Sequence, residues 1–134
     1  MEDWLLTNQS MPTLFSKSHL WFRRLGAEAY QVGITEFYQD QLSDLHHISF
    51  GVAENTEIQA YESICTLESA KSLTEINLPF SARLKQINKT LFLDVALINQ
   101  QPETEGWLFV IEQPGLSWQT KLLGDNEYQA YLDQ

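Results

Sequence analysis

Two short apolar-rich runs flank a polar turn between Ile64 and Ile76. Both runs contain β-branched and apolar residues, namely Ile64, Thr66 and Leu67 in the first and Leu73, Thr74 and Ile76 in the second. Residues 69–72 between them are too polar for a protein core. The pattern predicts a β-hairpin with Lys71 at its tip. A lysine there is an accessible amine on a rigid support, to which another enzyme could attach a group, although most turn lysines are simply solvated charges.

The composition indicates one globular domain and excludes several classes of partner. The chain has 134 residues, 43% of them hydrophobic, so it can form a substantial core. Eighteen acidic against eight basic residues give a net charge of −10, which argues against nucleic acid or an anionic membrane as partner. Neither a signal peptide nor a membrane-spanning apolar run is present in the sequence, which predicts a cytoplasmic protein.

The remaining segments predict a β-rich domain over residues 18–134, preceded by an N-terminal extension, residues 1–17. Tyr30, Val32 and Ile34 alternate as in a half-buried strand, and Thr35 is a good N-cap for one internal helix over residues 36–43. The other expected elements are a long strand over residues 58–68 leading into the hairpin, a strand over 106–111 buried on both faces, and C-terminal helices over 117–123 and 126–132, the last capped by Asp125.

Motifs for self-contained catalysis or metal binding are missing from the sequence. It contains no glycine-rich phosphate loop, nucleophile elbow or dinucleotide fingerprint. The neighbours His46 and His47 should point to opposite faces of a strand, where they cannot easily share an ion. The single cysteine, Cys65, lies in a strand run without the cationic setting that activates a thiol, so we expect it to pack as a small hydrophobe. We therefore predict no catalytic residues and no metal site.

Several short segments, in order from about Ser18 to Leu132, together resemble the H protein of the glycine cleavage system. They are Ser18-His19-Leu20-Trp21, Val32-Gly33-Ile34-Thr35-Glu36, Gln39-Asp40-Gln41-Leu42, Glu68-Ser69-Ala70-Lys71-Ser72, Leu97-Ile98-Asn99, Glu105-Gly106-Trp107, and Leu122-Leu123-Gly124 with Tyr128. The resemblance implies a mainly β, lipoyl-domain-like fold. That fold is a flattened barrel or sandwich of two antiparallel sheets, with a short internal helix and C-terminal helices.

The resemblance also implies a function. Members of this family carry lipoic acid in amide linkage on the hairpin lysine, which is Lys71 here, within a motif that includes Glu68 and Ser69. The related biotinyl carriers hold their lysine between methionines, which Ala70 and Ser72 replace here, so lipoate is favoured. The loaded arm folds into a cleft with an acidic position that Glu75 matches.

The implied protein is a carrier rather than an enzyme, and a monomer by family precedent. Its implied partners are glycine decarboxylase, aminomethyltransferase, dihydrolipoamide dehydrogenase and a lipoyl ligase or transferase. The carrier would shuttle an aminomethyl intermediate among the first three of these enzymes.

One departure from the family pattern leaves alternatives open. Family members usually have glutamate between the histidine and the tryptophan of the first motif, where this chain has Leu20. One charged contact to the aminomethyl amine is therefore expected to be missing. The alternatives are a divergent H-like lipoyl carrier serving lipoyl relay or sulfur oxidation, and an unmodified interaction module.

Overall fold

The computed structural model describes residues 12–134, and the first eleven residues of the predicted N-terminal extension lie outside this range. The described residues form nine strands in the order β1 (Leu14–Phe15), β2 (Leu20–Gly26), β3 (Ala29–Ile34), β4 (Leu45–Phe50), β5 (Thr56–Ile58), β6 (Cys65–Ser69), β7 (Leu73–Ile76), β8 (Ala82–Ile87) and β9 (Phe109–Glu112). The helices are α1 (Glu36–Gln41), α2 (Ala96–Gln100) and α3 (Asp125–Leu132), with 3-10 turns at Lys89–Phe92 and Trp118–Lys121.

The strands form two antiparallel sheets that share one core. The larger sheet has six strands in the order β1-β2-β3-β9-β8-β5, and the smaller has three in the order β4-β6-β7. Buried side chains of both sheets, among them Val32, Leu84 and Leu67, belong to one continuous apolar cluster. Each such side chain stabilises the fold by about 1.5–3 kcal/mol when fully buried. The predicted mainly β architecture of two antiparallel sheets is confirmed.

The predicted long strand over residues 58–68 is wrong, because the chain changes sheets within it. β5 ends at Ile58 and pairs with β8 in the larger sheet, whereas β6 begins at Cys65 and pairs with β4 and β7. Tyr61 has a left-handed backbone, with φ 66°, and its N–H donates to the Leu78 carbonyl at 2.7 Å. Ile58 and Ile64 on either side of the crossover are both fully buried. The apolar pattern is continuous because both residues enter the same core.

The internal helix begins as predicted but is shorter than expected. The Thr35 hydroxyl accepts a hydrogen bond from the Tyr38 N–H, which confirms the N-cap, and the helix ends at Gln41 instead of residue 43. A second internal helix, α2, was not expected. It packs closely on Gly106, where an added Cβ would lie 2.5 Å from the Leu97 carbonyl oxygen. Its five residues carry no cap signal, since Val95 makes no side-chain capping hydrogen bond.

The C-terminal segment forms a 3-10 turn followed by α3. The turn, Trp118–Lys121, replaces the predicted helix over residues 117–123. α3 starts at Asp125 with Gly124 as its N-cap, and the Glu127 carboxylate accepts from the Gly124 N–H at 2.9 Å. Tyr128 is buried, as expected for the helix face that contacts the body. None of the helices within residues 12–134 has the length and apolar character needed to cross a membrane.

A second apolar cluster on the larger sheet is centred on Trp21, together with Phe15 and Tyr128. Trp21 is 1% exposed, and its indole N–H donates to the Pro102 carbonyl at 2.9 Å. Gly33 lies directly opposite Trp21 in the β2–β3 pairing. A Cβ at Gly33 would approach three atoms of the indole ring at 2.6–2.8 Å. Glycine at this position therefore makes room for the tryptophan.

We expect Gly33→Ala to lower the free energy of unfolding by about 1–3 kcal/mol, because the new methyl group overlaps a ring that its surroundings hold in place. Gly26→Ala is a matched control, since a Cβ there meets no atom within 4 Å and no glycine in residues 12–134 has a positive φ. It should change stability by no more than ~0.5 kcal/mol. Urea unfolding of both variants measures the difference, and equal stabilities would contradict this account of Gly33.

Cys65 packs in the core as predicted, with 1% exposure, and burial raises the pKa of its thiol. In the unfolded chain the thiol ionises near pH ~8.5 while the folded protein keeps it protonated, so the unfolded state binds fewer protons above that pH. The free energy of unfolding should therefore fall as pH rises above ~8.5, by at most ~1.4 kcal/mol per pH unit from this residue. Denaturant unfolding at pH 7.5 and 9.5 measures the effect. Cys65→Ala should lack this part of the slope, and an unchanged slope would contradict the assignment.

Candidate functional site

The β6–β7 hairpin holds Lys71 at its tip, as the sequence predicts. The strands pair from Cys65 opposite Ile76 to Glu68 opposite Leu73. The Ser69 N–H donates to the Ser72 carbonyl at 3.0 Å, which closes the turn. Ser69 is 7% exposed. Its hydroxyl accepts a hydrogen bond from the Lys71 N–H at 3.3 Å and lies 3.2 Å from the Ser72 hydroxyl. These bonds fix the backbone of the turn and leave the Lys71 side chain in solvent.

The Lys71 amine is free of ion pairs with the described part of the chain. No carboxylate of residues 12–134 lies within 4.0 Å of it, whereas Lys85 and Lys89 each pair with a glutamate. The exposed amine can therefore be reached by an enzyme that acylates it. The conversion would remove one positive charge without leaving a carboxylate unpaired.

The three acidic or polar residues predicted around Lys71 differ in their positions. Ser69 is buried in the turn, and Glu68 and Glu75 are both exposed. Glu68 pairs across the sheet with His47 on one side and Leu73 on the other. Glu75 lines a cleft. The structure therefore brings Glu75 into a concave site, as the sequence predicts for this residue.

This cleft, which we call the β7 cleft, lies where the start of β2, helix α1 and the edge strand β7 meet. It has a volume of about 60 Å³ and is lined by Ser18, Leu20, Tyr38, Glu75, Ile76 and Asn77. Glu75 is four residues from Lys71, a distance of about 13 Å along an extended strand. An extended group attached to Lys71 could follow the edge of β7 to reach this cleft.

The lining of the β7 cleft combines one carboxylate with uncharged polar and apolar side chains. Among residues 12–134, Glu75 is the only carboxylate in this lining. Leu20 is 1% exposed, and its side chain is neutral. The family pattern described above usually has a glutamate at this position, which would be a second acid. Burial raises the pKa of the Tyr38 hydroxyl, so that group stays protonated and can donate a hydrogen bond. The cleft as built offers one negative charge to a positively charged guest.

His19 organises the wall of this cleft, a role that the sequence did not reveal. Its backbone has φ 71°, and its Nδ1 lies 2.9 Å from the Tyr128 hydroxyl. That hydroxyl also lies 2.9 Å from the Thr35 hydroxyl, which caps α1. Burial lowers the pKa of His19, which favours the neutral imidazole. The network ties α3 to the start of α1 beside Ser18 and Leu20.

Two further residues of the cleft were not singled out from the sequence. Asn77 follows Glu75 by two residues, so the strand period could have placed both side chains on the same face of the strand. Tyr38 follows the predicted N-cap Thr35 by three residues, which puts it in the first turn of α1. Neither spacing alone distinguishes a cleft residue from an ordinary surface residue.

His46 and His47 are neighbours on β4. A register shift between Leu45 and His47 interrupts the β4–β6 ladder, and both histidines are exposed. The expectation that their side chains point to opposite faces of the strand and cannot easily share an ion stays a prediction. Within residues 12–134 no group of three or more potential ligands is placed to hold a metal ion.

Comparisons with known proteins agree on one family. Residues 13–134 match the family described as Glycine cleavage H-protein. The chain is 33% identical over 120 residues to a glycine cleavage system H protein of Coprothermobacter proteolyticus, which covers 90% of this chain and 94% of that protein. It is 32% identical over 129 residues to one of Photorhabdus laumondii, covering 96% and 98% respectively.

A solved structure gives the same result. The crystal structure of a glycine cleavage system H protein from Mycobacterium marinum superposes with a TM-score of 0.77 at 25% identity, over 92% of this chain and 98% of that one. The likeness confirms the lipoyl-domain-like sandwich. Because the match extends over nearly the whole length in both sequence and structure, the chain belongs to the glycine cleavage H-protein family, whose members are lipoyl carriers rather than catalysts.

Proposed function

We propose that this protein carries a lipoyl group on Lys71 and shuttles an aminomethyl intermediate in glycine cleavage. The observation that supports this most is Lys71 itself, an unpaired and solvent-exposed amine on a turn fixed by the Ser69 hydrogen bonds. Family membership supplies the carrier role, and the hairpin supplies a suitable attachment point.

The residues around Lys71 fit an acylated lysine. Amide formation joins the lipoyl carboxyl carbon to Nζ with loss of water, and the neutral product needs no counter-charge at the tip. When attached to Lys71, the group would supply a redox-active disulfide suited to carrying an aminomethyl unit. Ser69 would keep the turn in one conformation, and Glu68 would present a carboxylate beside it for the modifying ligase or transferase.

Glu75 supports the part of the proposal that concerns the cargo. An aminomethyl group bears a positive charge, and a carboxylate lining the β7 cleft can bind it by a charge-assisted hydrogen bond. Leu20 leaves this contact without a second acid. The chain would therefore hold its cargo with one charged group.

The partners follow from this role. Glycine decarboxylase would load the arm and aminomethyltransferase would unload it. Dihydrolipoamide dehydrogenase would then restore the disulfide. The protein contributes presentation of the arm, while these enzymes supply the chemistry.

Lys71→Arg should abolish lipoylation while changing the free energy of unfolding by no more than ~0.5 kcal/mol, because an exposed turn side chain contributes little. Intact-mass and peptide-mapping measurements on protein from its own host, grown with lipoate, check this. Lys85→Arg is the control, since that exposed lysine pairs with Glu112 on the larger sheet and should leave modification unchanged. An unmodified Lys71 in the wild-type protein would favour the unmodified interaction module.

Fully lipoylated protein should support exchange of bicarbonate into glycine by the cognate glycine decarboxylase, and Lys71→Arg should show background exchange only. The exchange rate of labelled bicarbonate measures the carrier role directly. Absence of exchange with fully lipoylated protein would contradict the proposal that the cargo is an aminomethyl group.

Leu20 is the observation that favours a second candidate function. A neutral residue in the β7 cleft suits a cargo other than an ammonium group, as in a divergent carrier for lipoyl relay or sulfur oxidation. Lipoylation of Lys71 without glycine exchange would point to this second function.

A further inference from the structure

The basic residues of this acidic protein differ in whether a carboxylate or a backbone carbonyl binds them. All eight basic residues lie in the described part of the chain. Arg83, Lys85 and Lys89 pair with glutamates, and Arg23 and Arg24 donate to backbone carbonyls. The other three, Lys17, Lys71 and Lys121, have no carboxylate of residues 12–134 within 4.0 Å.

Two of these three lysines, Lys17 and Lys121, line one pocket, and the Lys17 Nζ lies 5.9 Å from the centroid of the Tyr131 ring. The pocket, which we call the lysine pocket, has a volume of about 240 Å³ and is lined by Ser16, Lys17, Ser18, Tyr61, Asn77, Pro79 and Lys121. No acidic residue of 12–134 is in that lining. In a chain with a net charge of −10, a cleft whose charged lining residues within 12–134 are both lysines attracts anions locally. An anion bound there would offset the repulsion between their two like charges.

Neutral donors accompany the lysines. Within residues 12–134, neither the Asn77 amide nor the Tyr61 hydroxyl makes a side-chain hydrogen bond. Tyr61 is 66% exposed and holds its left-handed backbone through the bond to Leu78. An aromatic residue at positive φ is unusual, and its surroundings must stabilise it. The ring of Tyr61 and the side chain of Pro79 give the pocket apolar surface beside its charged rim.

We propose that the lysine pocket binds a small carboxylate with an apolar body. The ammonium groups of Lys17 and Lys121 would bind the carboxylate, with the Asn77 amide as a further donor. The Tyr61 ring and Pro79 would contact the apolar part of the ligand. A carboxylate fits because charge-assisted hydrogen bonds from ammonium groups are stronger than neutral ones.

The lysine pocket adjoins the β7 cleft. Ser18 and Asn77 line both. Asn77 is six residues from Lys71, which limits their separation to about 20 Å. A bound carboxylate would therefore lie beside the far end of the cleft. The pocket is formed by the chain itself, so the proposal stands or falls independently of lipoylation.

The test is a titration of the ¹⁵N-labelled, unmodified full chain with benzoate, followed by amide chemical shifts. Benzoate should give saturable shifts at Ser18, Asn77 and Lys121, and its neutral isostere benzamide should bind at least about tenfold more weakly. The double variant Lys17→Gln/Lys121→Gln should also weaken benzoate binding about tenfold or more.

The control Lys85→Gln/Lys89→Gln removes the same charge from lysines paired elsewhere, and it should change benzoate affinity by less than about twofold. Three results would overturn the proposal. They are absence of saturable shifts at the pocket, equal binding of benzamide and benzoate, and equal loss of affinity in the two double variants. The last would show that only net charge matters.

Discussion

The position of Lys71 depends on the burial of β6 and β7 against the larger sheet. Cys65, Leu67 and Ile76 lie on the inner face of this hairpin and are 0–2% exposed. Removing these side chains from water anchors both strands and so fixes the direction in which the turn projects. The Ser69 hydrogen bonds then need to order only the four residues of the turn, 69–72. A rigid lysine is thus a consequence of a core formed several residues away.

The same arrangement creates the β7 cleft. β7 is an edge strand of the smaller sheet, so its outer edge is free to face α1 and the start of β2. The hydrogen bonds of Tyr128 to His19, just before β2, and to Thr35, the N-cap of α1, hold those two elements together. Lys71, the proposed attachment point, therefore lies just before β7, and Glu75 of the cleft lies near the other end of that strand. Their spacing is set by strand geometry and does not require a flexible loop.

Charge is distributed unevenly around this edge. Among residues 12–134, Glu75 is the one carboxylate that lines the β7 cleft, whereas two lysines line the adjoining lysine pocket. Leu20, which is buried between the sheets, makes the wall of the cleft neutral. Residues of opposite charge therefore line two adjoining clefts at this edge.

Sequence patterns alone determined the hairpin, the N-cap at Thr35 and the apolar alternation of β3, because each depends on residues within a few positions of one another. The family-specific segments around Lys71 and Trp21 further indicated the fold and the attachment lysine. Only the tertiary structure decided that residues 58–68 divide between two sheets, because Ile58 and Ile64 are equally apolar in either arrangement. It also decided that Lys17 and Lys121 share a pocket, and that Gly33 faces Trp21. These contacts join residues that are distant in the chain or lie on neighbouring strands, and local sequence patterns carry no information about such distances.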